Sequence, residues 1–172
     1  MKSVLISIPP KWCELIANGN KTIEVRKNKP KLDTPFKCLI YCTQGKPYFY
    51  GDGKSYISDT LNLLKTSKEQ FAETSGLYMW NSKVIGEFVC DEIEKFEIPY
   101  QAYFPQTNTQ IVNNTCLTCQ QIKEYANGKQ SVYGWHISNL KIYETPKELG
   151  EFKNSKNEII TRAFQSWGYV ND

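Results

Sequence analysis

The chain has 172 residues, 40% of them hydrophobic and 23% charged, and a formal net charge of +3. That length suits one compact domain with a real core, and the composition is too apolar for general disorder. No apolar run approaches the ~20 residues that span a bilayer, and the opening MKSVLISIPPKW has too short an apolar centre for a secretory leader, so no membrane association and a cytoplasmic location are expected.

The first element in chain order is a strand, SVLISI, stopped by Pro9 and Pro10, the second of which suits the first turn of a helix. Trp12, Leu15 and Ile16 follow at helical spacing and should turn one face to the core, and Gly19 closes the helix. In KTIEVRK, residues 21 to 27, Ile23 and Val25 alternate with Thr22, Glu24 and Arg26, which places three polar side chains along one ridge of a strand. Lys21 sits at the corner where the chain enters that strand. FKCLIYCT, residues 36 to 43, is nearly continuous in apolar character and reads as a central strand.

Residues at about 44–82 read as an insertion, beginning with the aromatic and glycine-rich QGKPYFYGDGKSYISD. Its Gly-Lys-Ser triplet lacks the glycine five residues before Gly53 that a phosphate loop requires, since Tyr48 stands there. KVIGEFVCDEIEKFEIP reads as one long strand, with Gly86 marking a bulge or a close backbone approach. LTCQQIKEYANGK reads as a helix with Thr118 and Gln121 as its capping box and Gly128 as its closing residue. SVYGWHISNLKIYET is then a strand pair or one strand bent at Gly134, and a capping signature at Thr145–Glu148 predicts a short helix. A C-terminal extension is expected from about residue 145, with KNSKNE, 153 to 158, as its least ordered tip. Strands thus dominate without regular alternation with helices, which points to the α+β class and a small mixed β-barrel with short peripheral helices.

The six cysteines need no disulfides in a chain with an adequate core, so reduced thiols are expected. Cys116 and Cys119 have a metal-ligand spacing and Cys38 and Cys42 could share one strand face, but one CxxC without a second is a weak zinc signal, and no metal or cofactor is expected. The lone His136, in an apparent strand, receives no role.

Charge distribution says more than net charge. Between residues 21 and 37, Lys21, Arg26, Lys27, Lys29, Lys31 and Lys37 stand against Glu24 and Asp33, a local excess of four that exceeds the surplus of the whole chain. Such a patch is the footprint of a phosphate-backbone binder, and equally of an edge strand guarded by lysines. Tyr48 with its aromatic neighbours, and Trp167, are candidate stacking surfaces for bases, while Trp12 and Trp135 are assigned to packing. A carboxylate at Glu24 between Lys21 and Arg26 suits orienting a donor group of a ligand, such as a base amine, better than acting as a general acid.

Gly19-Asn20-Lys21-Thr22-Ile23-Glu24-Val25-Arg26 has the form G-x-K-x-x-E-x-R and resembles the signature of the ASCH domain, a PUA-like β-barrel. The resemblance covers most of residues 1 to 145 and extends to the ASCH proteins encoded by firmicute bacteria and their phages. It implies a single ASCH domain over residues 1 to 172, with a cleft in which Lys21, Glu24 and Arg26 face RNA or a nucleotide-like small molecule; Thr22 and Lys27 beside them, and the aromatic candidates Tyr48 and Trp167, complete the expected ligand-binding residues. Some similar proteins hydrolyse N4-acylated cytidine and a few are ribonucleases, which would make Lys21 and Glu24 catalytic. The amidohydrolase members carry a threonine where this chain has Glu24, so the resemblance implies binding ahead of hydrolysis.

Overall fold

The computed structural model describes residues 2–44, 48–49, 54–56, 66–67, 80–98 and 109–171. The strands are β1 (Lys2–Ile8), β2 (Ile23–Arg26), β3 (Phe36–Cys42), β4 (Tyr48–Phe49), β5 (Lys54–Tyr56), β6 (Thr66–Ser67), β7 (Lys83–Cys90) and β8 (Ile93–Glu97). They continue with β9 (Ser131–His136), β10 (Ser138–Glu148), β11 (Lys153–Asn154) and β12 (Trp167–Asn171). The helices are α1 (Pro10–Ala17), α2 (Thr109–Thr115) and α3 (Cys119–Ala126).

Six strands form one mixed sheet in the order β10-β7-β3-β1-β12-β11, and three form a second in the order β2-β9-β8. A separate ribbon, β4-β5-β6, falls in the expected insertion, most of which lies outside the described residues. The architecture is α+β, and the strand pairings described leave the two main sheets distinct, without a ladder that closes them into a barrel. The segment expected as an extension supplies β11 and β12, and β12 lies antiparallel to β1 in the large sheet.

The apolar continuity of FKCLIYC has a direct structural cause. β3 pairs with β1 on one side and β7 on the other, and its faces enter two different clusters: Cys38, Ile40 and Cys42 one, Leu39 and Tyr41 the other. Each fully buried aliphatic side chain here contributes on the order of 1.5–3 kcal/mol. Trp135 is fully buried in the first cluster, edge-on to Phe36 at a ring separation of 5.8 Å. Gly86 lies beside a register shift in the β3–β7 ladder, and a Cβ there would lie 2.4 Å from the Lys141 carbonyl oxygen, so the close approach expected from its sequence position is real.

Several elements differ from the sequence expectation. The segment 83–97 breaks at Asp91 and Glu92, sending β7 into the large sheet and β8 into the small one. The chain divides again at Ile137, between β9 and β10, so of the two expected alternatives the strand pair forms and the single bent strand does not. Gly134 bends nothing: it sits inside β9, where a Cβ would lie 2.6 Å from the Phe96 ring and 2.8 Å from Ile23 Cγ2, so its missing side chain makes room for the core. Thr145–Glu148 extends β10, and only a 3-10 turn, Leu149–Glu151, follows. The tip at 153–158 is a hydrogen-bonded turn in which Asn154 Oδ1 accepts from the backbone of Lys156 and Glu158. Helix α2 has no apolar periodicity that its sequence would announce.

A candidate nucleotide pocket

Lys21, Glu24 and Arg26 converge because three local features agree. Pro10 starts α1, and its end is closed by Asn18 and by Gly19 at φ +79°, a conformation that favours glycine. The Lys21 N–H then donates to the Leu15 carbonyl at 2.9 Å, fixing the corner. β2 pairs with β9 in a register that sets Glu24 opposite Trp135 and Val25 opposite Gly134. Ile23 and Val25 pack with Ile122 and Ala126 of α3, while Glu24 and Arg26 alternate with them along the strand.

All three charged residues are nearly sealed from bulk water, at 2%, 6% and 6% relative exposure respectively. The Arg26 guanidinium donates to Glu24 Oε1 at 2.8 Å, and Lys21 Nζ lies 3.4 Å from Glu24 Oε2. Lys21 Nζ also donates to the Thr115 carbonyl at 2.6 Å and lies 5.1 Å from the centre of the Trp12 ring. Arg26 donates further to the Ser7 carbonyl at 2.8 Å and to Ser166 Oγ at 3.3 Å, while its Nε is buried without a partner. Two cations and one anion leave a surplus of one positive charge within the trio. Carbonyl oxygens from the end of α2 and from β1 offset it in part.

The trio borders a pocket of about 480 Å³. α1 contributes Trp12 to the wall, and α3 contributes Gln121, Glu124 and Tyr125. Ser7, Thr43 and Gln165 add polar groups from the large-sheet side. Burial pushes the Tyr125 phenol up, with the neighbouring Arg26 charge opposing the shift. The Cys13 thiol, on the buried face of α1, is raised well above the usual thiol range by burial and by its hydrogen bond with Cys42.

The expected ligand-binding residues are only partly assembled here. Lys21, Glu24 and Arg26 line the pocket together. Thr22 is exposed just before β2, its backbone held by Asn114 and Ile137, and is not part of the pocket wall. Lys27 Nζ lies 5.2 Å from the Tyr125 ring centre, next to the wall. Trp167, expected as a surface platform, packs its ring against Trp135 at 5.7 Å and Tyr169 at 5.5 Å. The Tyr48 side chain lies outside the described residues. Trp12, assigned to packing from sequence, does pack against the first core cluster and also borders the pocket beside the Lys21 ammonium. Its position two residues after a proline-started turn gave no sign of this, since the i, i+3, i+4 pattern treats it as one more core residue.

The four buried cysteines, Cys13, Cys38, Cys42 and Cys90, and the half-buried Cys116 and Cys119 are all free thiols. Among the described residues no group of three or more potential ligands is placed to hold a metal. Nor is any described helix long and apolar enough to cross a membrane.

Neither a family model nor a curated protein sequence matches the chain. Solved structures do. The ASCH protein of Zymomonas mobilis superimposes with a TM-score of 0.60 at 16% identity, over 99% of this chain and 88% of its own. A point mutant of the same protein gives 0.61 at 15% identity, over 100% and 92%. At such low identity the likeness is one of backbone architecture, and it extends beyond the G-x-K-x-x-E-x-R segment to the whole chain. The protein has the ASCH-domain fold.

Proposed function

We propose that the pocket binds one base of a single-stranded RNA, or a nucleotide-like small molecule, as a recognition module. The observation that carries this reading is the buried Lys21–Glu24–Arg26 trio on the wall of an open cavity of about 480 Å³. A buried ion network is a poor device for stability alone, because well-packed apolar residues do as well or better. At a cavity it supplies fixed donors and an acceptor side by side. Glu24 can accept from a base amine, the remaining Lys21 proton can donate to a ring nitrogen or carbonyl, and Trp12 and Tyr125 offer aromatic surface. The basic excess of residues 21 to 37 would attract the phosphate backbone.

The reading is tested by titrating the protein with single-stranded RNA at several salt concentrations. Affinity should fall steeply with salt, and Lys21→Ala and Arg26→Ala should each weaken it. Unchanged affinity in both variants removes the basis of the proposal.

A second reading, hydrolysis of an N4-acylcytidine-like nucleoside or of RNA, draws on the 3.4 Å approach of the Lys21 ammonium to the Glu24 carboxylate, a pair that could stabilise a developing charge and orient water. It is the weaker of the two. Thr22, the hydroxyl nearest in sequence, lies outside the pocket wall, and the Ser7 hydroxyl is engaged as donor to the Phe164 carbonyl at 2.6 Å. Turnover of N4-acetylcytidine or RNA that disappears in Lys21→Ala would reverse this order.

A further inference from the structure

Two aromatic rings that line the pocket each carry a lysine ammonium. Lys11 Nζ lies 4.8 Å from the centre of the Trp12 ring on α1, and Lys27 Nζ lies 5.2 Å from the centre of the Tyr125 ring on α3. Neither ammonium has a carboxylate within ion-pair distance among the described residues, unlike Lys21 and Arg26, which share Glu24. Both side chains are half-buried, so their stems lie along the surface while their charges stay free. The pocket therefore has one partly compensated charge network in its wall and two cations without a carboxylate partner on the aromatic walls of two different helices.

We propose that the ligand is an internal nucleotide of a single strand, with Lys11 and Lys27 each holding one of the two phosphates that flank the inserted base. This rests on the pocket reading given above and narrows it. A free nucleoside has no phosphate and would leave both lysines unused, and a terminal nucleotide would engage one. An internal nucleotide carries a phosphate on each side of its sugar, and the chain must leave the mouth of the pocket in two directions. The cations stand on two walls, which matches that requirement. On the Lys27 side the positive surface continues, because Lys129 Nζ donates to Asn28 Oδ1 at 2.7 Å and to the Lys27 carbonyl at 3.4 Å. The strand thus has a longer basic track on that side than beyond Lys11.

The test compares the homotrinucleotides ApApA, CpCpC, GpGpG and UpUpU with their free nucleosides by calorimetric titration of the whole chain. At least one trinucleotide should bind about 10-fold or more tightly than its nucleoside at low salt, and Lys11→Ala and Lys27→Ala should each lower the log–log salt slope by ~0.7, the share of one phosphate on a single strand. Replacing the first or the second phosphate by a neutral methylphosphonate should abolish the response to one lysine and spare the response to the other. A nucleoside that binds as tightly as its trinucleotide, or wild-type salt slopes in both variants, overturns the two-phosphate clamp and leaves the base pocket standing. If no nucleoside or trinucleotide binds at all, the pocket reading itself fails and the clamp with it. Lys11→Gln and Lys27→Gln, which keep most of each stem, guard against an effect of lost packing and should reproduce the alanine results.

Discussion

Arg26 donates to the backbone carbonyl of Ser7 at 2.8 Å, joining the first strand of the small sheet to β1 of the large one. The same guanidinium nitrogen holds Glu24 at 2.8 Å, so one side chain both links the sheets and orients the acceptor of the pocket. Stability and pocket geometry are therefore coupled at this residue, and substitutions in the trio should be read by both.

Glu24→Ala should be strongly destabilising, because it leaves Lys21 and Arg26 buried without their shared counter-ion. A loss of about 3–5 kcal/mol is expected from breaking such a pair on one side. Urea unfolding of the variant measures it, and a loss below about 1 kcal/mol would show that water reaches the cations and relieves them.

Gly134→Ala adds a single methyl group where the Phe96 ring already stands at 2.6 Å and Ile23 Cγ2 at 2.8 Å. Overpacking of this kind costs about 1–3 kcal/mol. Because Ile23 belongs to the strand that carries Glu24 and Arg26, RNA affinity should fall together with the urea midpoint. A midpoint unchanged from wild type would mean that Phe96 rotates away freely.

Trp12→Ala and Trp167→Ala should separate cleanly. Trp12 borders the pocket, so its loss should weaken single-stranded RNA binding by ~1–3 kcal/mol if a base stacks there, with a smaller effect on unfolding. Trp167 packs against the buried Trp135, so its loss should act on stability, by about 3 kcal/mol, ahead of affinity. The reverse pattern would restore Trp167 as the stacking surface.

The thiols give a prediction in pH. Burial, with the Asp91 charge adding to it, raises the Cys90 thiol from 9.0 to about 12, and Cys13 and Cys38 are raised as well, chiefly by burial. A folded state that holds protons more tightly than the unfolded chain is fully favoured below the unfolded pKa and loses that advantage as pH rises. Stability should accordingly decline as pH climbs from about 9 towards 12, and Cys90→Ala should flatten part of that decline. At neutral pH, Ellman's reagent should label Cys116 and Cys119 quickly and the four buried thiols at the rate of opening.

Much of the local structure was legible in the residues. The Thr118–Gln121 capping box forms as its spacing requires, with Gln121 N–H donating to Thr118 Oγ1 at 3.2 Å and Thr118 N–H donating to Gln121 Oε1 at 2.9 Å. The β3 strand is central, and the alternation around Glu24 and Arg26 brings both to the pocket. These features depend on neighbours within a few positions, where hydrogen-bonding geometry and side-chain period leave few choices.

The sequence by itself determined the α+β character, the early charged strand and the turn that delivers Lys21 to it, because each is set by short-range backbone preferences and apolar periodicity. Only the tertiary structure decided that 83–97 and 131–148 each divide between two sheets, that Trp12 and Tyr125 wall the pocket, and that Thr115 accepts from an ammonium 94 positions away. Those outcomes depend on which apolar faces find each other across long separations in the chain. A pattern of residues records that a face must be covered, and the packed fold decides what covers it.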